Sequence, residues 1–290
     1  MTAADHAALV RPRRSALYMP ASNARAIAKS RALTCDVVIL DLEDAVAPEA
    51  KDLARVQAAD AVTQGGFGRR EVVIRVNGLD TPWGEADLRA AVAAKPDGIL
   101  VPKISAAEDV ARYAAPLRGR TKLWAMIETC AAILRLEAIG SASRACGAAV
   151  WVMGVNDLAK EMRCALDVER NPFQAPLSLA VVAARANGLS ILDGVFNDIG
   201  DEGGLIEQCE QGAAFGFDGK TLIHPAQVEA ANRAFSPTEE EVAGSRAIVQ
   251  AFDAPENAGK GVIRVDGRMV ERLHLEQARR VLAMAVAMEP

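Results

Sequence analysis

No apolar run in this sequence approaches the roughly 20 residues of a membrane-spanning helix. Its richest runs are cut by Asp41, Glu43, Asp44, Asn156 and Asp157. The first residues, MTAADHAALVRPRR, contain no apolar core of the length a secretory signal requires. The five cysteines, Cys35, Cys130, Cys146, Cys164 and Cys209, form neither a CxxC pair nor a Cys/His zinc spacing, and their odd number excludes a complete disulfide framework. The expectation is a cytoplasmic protein with reduced, structural thiols. Positive charge is not in excess either: 33 Lys and Arg stand against 38 Asp and Glu, a net charge of −5, which is a poor balance for a general nucleic-acid binder. PASNAR, not GxGxxG, follows the first apolar run, so the dinucleotide-binding turn is missing. GxSxG and HExxH are absent as well, and no cysteine carries a nucleophile signature.

What is present is a regular alternation. Hydrophobic residues make up 51% of the 290 positions and charged residues 24%, as in an ordinary globular protein. That length fits two average domains or one α/β barrel with something added. Short Val/Ile/Leu-rich runs begin at Ser15, Asp36, Glu71, Asp97, Lys122, Ala148, Leu189 and Ala213. Continuous rather than alternating apolarity marks strands covered on both faces. Ala-rich stretches with helical spacing lie between them, over 24–33, 48–63, 85–94, 106–115, 131–139 and 176–187. Strand–helix alternation with eight strand candidates predicts an α/β fold, a parallel (β/α)8 TIM barrel, with a doubly wound open sheet as the rival. The end of the chain reads differently. Thr238 followed by three glutamates resembles a helix start, 261–267 a short strand or hairpin, and 273–287 a final amphipathic helix. The expected division is a barrel over 1–230 and a C-terminal helical or hairpin extension over 231–290.

Chemistry in a parallel barrel collects at the C-terminal ends of the strands. The polar residues where apolar runs stop are Asp41, Glu43 and Asp44 in DVVILDLEDAV, Arg75 and Asn77 in EVVIRVN, Glu128 in LWAMIET, and Asp157 in WVMGVND. Glu128 and Asp157 are the sharpest pair. A carboxylate that follows a buried run is costly to desolvate unless it is paired or bound to a cation. Two such groups from adjacent strands, without His or Cys, suit Mg²⁺; the alternative is a buried salt bridge to Arg75 or Lys103. Arg75 is either a grip for an anionic oxygen or a counter-ion for Glu43 or Asp44. Asp44 is also a candidate helix cap. Arg25 and Lys29, and again Lys51 and Arg55, share helix faces at a spacing of four and would suit a phosphate-rich ligand or simply water. His224, in GKTLIHPAQ after the last strand, is a lone histidine in a rigid loop.

Taken in order, RSALYMPASN, DVVILDLEDAVAPEAKDLAR, VVIRVNGLDTPWGEADL, GILVPKI, MIET, GVNDLA, GFDGKTLIHPAQV and DGRMVERLHLEQARRVL resemble the citrate lyase beta-subunit-like family, also called the HpcH/HpaI aldolase/citrate lyase family. The resemblance covers nearly the whole chain. It implies a TIM barrel with Mg²⁺ on Glu128 and Asp157, and Arg75 as the substrate arginine. Tyr18, Arg25, Lys29 and Lys51 match positions near the coenzyme A moiety, and Ile223 and His224 fall in a substrate-contacting loop. It also implies a homotrimer or hexamer in which the C-terminal segment covers a neighbour's site. Glu271 stands where several relatives place the Asp supplied across that boundary, so the carboxylate is kept one methylene farther out. The activity implied is Mg²⁺-dependent cleavage of a 3-hydroxyacyl-CoA, of malyl or citramalyl type, to a short acyl-CoA and a 2-oxo acid, with Glu271 moving the proton. A hydroxyacyl-CoA thioesterase and a non-catalytic CoA-ester binder are the alternatives.

Overall fold

The computed structural model describes residues 11–289. They divide into two compact units, one spanning Arg13–Phe235 and the other containing residues 236–289.

The first unit is a closed barrel of parallel strands in sequence order: β1 Ser15–Pro20, β2 Val37–Asp41, β3 Glu71–Arg75, β4 Gly98–Val101, β5 Lys122–Ile127, β6 Val150–Met153, β7 Ser190–Asp193 and β8 Gly219–Leu222. β8 closes on β1 with Ala16 opposite Thr221. Each strand alternates between two apolar environments, which is why its sequence reads as a continuous apolar run. Leu17, Val38, Leu40, Ile74, Ile99 and Leu123 face the helices. Ala16, Val37, Ile39, Val73, Leu100, Trp124, Met126, Val150, Val152 and Leu192 fill the barrel interior. Below them, near the start of the strands, Arg13 Nε and Nη2 donate to Glu71 at 2.6 and 3.0 Å, and the guanidinium lies over the Trp124 ring at 5.4 Å. The interior is therefore a packed core with a closed floor, and only its upper end is free for chemistry.

The eighth strand lies later than predicted. The expected run from Ala213 begins in the last three residues of helix α9 (Glu202–Phe215), which terminates at Gly216 with φ of +93°, and the strand itself is Gly219–Leu222. The apolarity of AAFGF belongs to a helix end and its turn. The expected helix over 131–139 is broken into α5 (Cys130–Ile133) and α6 (Leu136–Ala145). The unit boundary follows Phe235 rather than residue 230, because α10 (Val228–Ala234) buries Val228, Ala230 and Ala231 with the barrel. Asn232 also bonds Ser15 Oγ and the Thr34 carbonyl.

In the second unit, α11 (Glu239–Asp253) starts at a reciprocal cap. Thr238 Oγ1 accepts from the Glu241 N–H at 3.1 Å, and Glu241 accepts from the Thr238 N–H at 2.7 Å. An antiparallel hairpin, β9 Val262–Val265 and β10 Arg268–Glu271, leads into α12 (Arg272–Met288). No helix among the described residues is long and apolar enough to cross a membrane.

Candidate active site

The upper end of the barrel opens into a cavity of about 260 Å³ whose walls include Tyr18, Arg75, Glu128, Asp157, Thr221 and Ile223. Strand periodicity places the first three. Tyr18 follows inward-facing Ala16 by two residues, Arg75 follows Val73, and Glu128 follows Trp124 and Met126, so each side chain points along the barrel interior. Asp157 arrives differently. It lies in the first turn of α7 (Val155–Met162), which begins directly after β6, and a carboxylate is favoured at that end of a helix.

Arg75 is held by acids. Nε and Nη2 donate to the two oxygens of Asp41 at 2.6 Å each, and Nη1 meets Glu43 at 3.0 Å and Asp44 at 3.3 Å. Asp41 is fully buried and also accepts the N–H groups of Glu43 and Ala45. It, not Asp44, anchors the turn after β2. Asp44 is largely exposed and lines the cavity. The guanidinium stacks on the Tyr18 ring at 4.7 Å. Both alternatives raised for Arg75 therefore meet in one geometry: it is a counter-ion for Asp41, Glu43 and Asp44, and it still forms part of the cavity wall. Burial pushes the Tyr18 phenol well above its ordinary value, against the pull of Arg75, so it stays neutral. The same cause lifts Glu43 from 4.5 to about 8, with Arg75 opposing and Asp44, Glu128 and Asp41 adding to it.

Glu128 is 2% exposed and forms no salt bridge with Arg75 or Lys103; its Oε1 accepts the Lys103 backbone N–H at 2.6 Å. Burial raises it from 4.5 to about 7; the Lys103 N–H pulls it down and Asp157 pushes it up. A buried carboxylate that shares a cavity with a second, partly exposed one is suited to a divalent cation. Among the described residues no group of three or more His, Cys, Asp or Glu converges on a point. A two-carboxylate set fits Mg²⁺, which completes its shell with water and ligand oxygens, and does not fit a closed zinc site. Gly154 makes room for this arrangement: a Cβ there would lie 2.3 Å from Glu128 Oε2 and 2.4 Å from Glu128 Cβ.

The remaining sequence-predicted residues are dispersed. Arg25 and Lys29 lie exposed on α1 (Ala24–Ser30), with no ion pair among the described residues. Lys51, at the start of α2 (Lys51–Gln64), is a correction. It is 6% exposed, and its ammonium donates to the carbonyls of Leu42 and Glu43 and to Asn77 Oδ1 at 2.7–2.8 Å. All three protons are committed inside the protein, so it fixes the acidic turn and offers none to a coenzyme. Arg55 is likewise held, by Asp87 and Asp52. Tyr18 sits under Arg75 in the cavity rather than with Arg25 and Lys29. Ile223 lines the cavity, whereas His224 is exposed, and its Nδ1 accepts the Ala226 N–H at 3.2 Å. Glu271 ends β10 in the second unit, where its N–H donates to His274 Nδ1 at 2.9 Å. Asp41 stands among the strand-end acids of the sequence but is assigned no specific role there, and Gly154 carries no local signal; the two-residue step from Ile39 to Asp41 marks the acid as inward-facing.

Comparison with known proteins places this geometry in a family. The HpcH/HpaI aldolase/citrate lyase model matches residues 14–225. A (3S)-malyl-CoA thioesterase of Cereibacter sphaeroides is 48% identical over 276 residues, 95% of each chain. The citrate lyase subunit beta of Escherichia coli is 34% identical over 290 aligned positions, covering 95% of this chain and 94% of its own. Among solved structures, the protein CitE from Mycobacterium tuberculosis, in complex with magnesium, acetoacetate and coenzyme A, superimposes with a TM-score of 0.77 at 28% identity, over 96% of this chain and 100% of its own. Barrel, cavity and sequence agree: this chain belongs to the HpcH/HpaI aldolase/citrate lyase family.

Proposed function

We propose that this chain is a Mg²⁺-dependent enzyme acting on a malyl-type hydroxyacyl-CoA, and that its net reaction is hydrolysis of the thioester. The observation that carries the reading is the pair Glu128 and Asp157 lining one cavity beside Arg75. These two carboxylates would hold Mg²⁺, which supplies Lewis-acid polarisation to the oxygens of the acyl group. Arg75 keeps one Nη2 proton beyond those given to Asp41, Glu43 and Asp44, and directs it at negative charge developing on the thioester oxygen. Tyr18 and Asp41 fix the guanidinium plane for that purpose. Hydrolysis joins a water oxygen to the thioester carbonyl carbon and releases CoA as the thiol. The exposed cations Arg25 and Lys29 meet the coenzyme's phosphates. The malyl-CoA thioesterases, at 46–48% identity, favour this net reaction over the others considered.

Carbon–carbon cleavage, the activity first implied by the sequence, is the second reading, favoured by citrate lyase beta subunits at 31–34% identity. In that reaction the hydroxyl proton is lost as the C–C bond breaks, and a 2-oxo acid and a thioester enolate separate. Glu271, supplied by a second copy in a trimer or hexamer, returns a proton to the enolate carbon. A screen of CoA thioesters with Mg²⁺, scored separately for free thiol and for 2-oxo acid, tests both. Thiol without oxo acid supports hydrolysis, oxo acid without thiol supports the lyase, and neither product with any malyl-type ester overturns the proposal. Mixing Glu271→Gln chains with Glu128→Gln chains restores turnover if the two residues act from different copies.

A further inference from the structure

The paired register of β7 and β8 ends at Asp193 and Lys220. The cavity wall still draws on both strands beyond that point: Val195 follows β7, and Thr221 and Ile223 lie at and just after the end of β8. Side chains take over the bonding there. Thr221 Oγ1 donates to the Asp193 carbonyl at 3.0 Å. Gln227, only 2% exposed, makes the second tie. Its Oε1 accepts the Ile223 N–H at 2.9 Å and the His224 N–H at 3.2 Å, and its Nε2 donates to the Phe196 carbonyl at 3.0 Å. One buried amide therefore joins the residue after Val195 to Ile223 and its neighbour. On the other side of β7, Asn156 and Asn197 exchange amide bonds at 3.2 and 2.8 Å, but both are exposed and water competes for them.

Capping accounts for one of the three Gln227 bonds. In a capping box the third residue of the turn accepts the N–H of the residue that opens it, which here is His224 ahead of the turn Pro225–Gln227. The bonds to the Ile223 N–H and the Phe196 carbonyl reach outside that turn, and a cap has no use for them. Val195 and Ile223 are apolar, so they make no directional bond of their own that would hold the wall against a ligand. β7 also stands four strands from β3 in the closed barrel, which puts Val195 across the mouth from Arg75. We propose that Gln227 is a positioning residue. By setting the separation of the Val195 and Ile223 segments, it fixes the apolar wall against which the acyl group is held while its oxygens face Arg75, Glu128 and Asp157. The assignment rests on the reading that this cavity takes Mg²⁺ and the acyl group. Displacement of the wall by about 1 Å is enough to lose a productive pose. It would leave the metal carboxylates in place, because Glu128 and Asp157 come from the end of β5 and from α7 and share no hydrogen bond with Gln227.

The test is calorimetric and uses Gln227→Glu and Gln227→Asn at about pH 8, far above the ordinary glutamate range. Glu keeps the reach and the acceptor for both amides, and a carboxylate is favoured at a helix start, but when ionised it has no proton for Phe196. Asn keeps the amide and falls one methylene short. Mg²⁺ is titrated into each protein, and then oxalate or malate at saturating Mg²⁺. Oxalate is small enough to bind through the metal and Arg75 alone, whereas malate carries two further carbons toward the wall. The expected result is malate binding weakened about tenfold in both variants, from the apolar contact a displaced wall no longer makes, with Mg²⁺ and oxalate within about twofold of wild type. The Tm of Gln227→Glu is expected within about 3 °C of wild type. Malate binding unchanged in either folded variant makes Gln227 a cap alone and overturns the assignment. So do all three constants weakening together, or a failure of both variants to fold. Wild-type protein that binds no Mg²⁺, or binds Mg²⁺ but neither acid, overturns the reading of the cavity, and this assignment falls with it.

Discussion

Two arginines in this barrel sit on fully buried aspartates, and they do opposite work. Arg75 meets Asp41, Glu43 and Asp44 at the open upper end, where acids outnumber the base and Glu128 and Asp157 line the same cavity. Arg170 meets Asp193 at 2.7 Å behind β7, where a second cation, Lys220, donates to the other oxygen at 2.8 Å. In the second cluster the bases are in excess, every member is buried, and Gln208 and Gln211 take the leftover donors. Lys220 and Arg170 hold the Asp193 carboxyl below the ordinary range despite its burial, and burial pushes the Lys220 ammonium down. The lesson is that burial and pairing alone do not mark a site. An acid excess that opens on a cavity does, because only there can an added cation and an anionic ligand complete the charge balance.

The most drastic way to break this comparison is to remove each arginine. Arg75→Ala should lower kcat by ~10² to 10³ in a steady-state assay, as loss of one preorganised donor does. Arg170→Ala should leave turnover of the folded enzyme nearly unchanged and cost about 3–5 kcal/mol in urea unfolding, because Asp193 loses a buried partner. Equal kinetic damage from both would erase the distinction. Gly154→Ala comes next. The new Cβ collides with Glu128, so Mg²⁺ affinity should fall roughly tenfold in calorimetry, with a lower Tm from overpacking. A variant that binds Mg²⁺ normally would show that the Glu128 carboxylate is not held against Gly154.

pH sharpens the contrast further. Glu43 and Glu128 are raised from 4.5 to about 8 and about 7 in the metal-free protein. A carboxyl raised by folding contributes stability that is fully present below pH 4.5 and lost as pH rises through its folded value. Metal-free stability from these two groups should therefore decline between pH 4.5 and 8, and Mg²⁺ should raise the Tm more at pH 8 than at pH 6. Asp193 runs the other way: its lowered value contributes stability above its ordinary pKa and loses it on acidification. Smallest of all, Arg25→Ala or Lys29→Ala should raise the KM for a CoA ester about two- to fivefold, more at low salt than at high, without changing kcat. Lys51→Met should not reproduce that salt dependence, because its ammonium is spent on Leu42, Glu43 and Asn77.

Much of this was legible in the sequence, for physical reasons. The doubly buried strands write themselves as continuous apolar runs, and the two-residue step carries Glu128 and Arg75 onto the inner face. The cap at Thr238 and the hairpin after Gly261 are local signals, and both form. What failed was whatever depends on a partner distant in sequence. Lys51 looks like a surface lysine at a four-residue spacing from Arg55 until the fold brings Asn77 beside it. Asp193, Arg170 and Lys220 come from three separate segments and leave no local trace. The eighth strand was misplaced because AAFGF reads as apolar whether it ends a helix or forms a strand. Lys103 was legible only as an alternative salt-bridge partner for Glu128 or Asp157, since its left-handed backbone and its amide contact with Glu128 are tertiary facts.

The central claim is that Glu128 and Asp157 together bind one divalent ion at the mouth of the barrel. Titrating Mg²⁺ into the wild-type chain, Glu128→Gln and Asp157→Asn tests it directly. One ion per wild-type chain, with binding abolished or weakened by at least tenfold in each variant, is the expected result. Wild-type binding that survives both substitutions undiminished would contradict it.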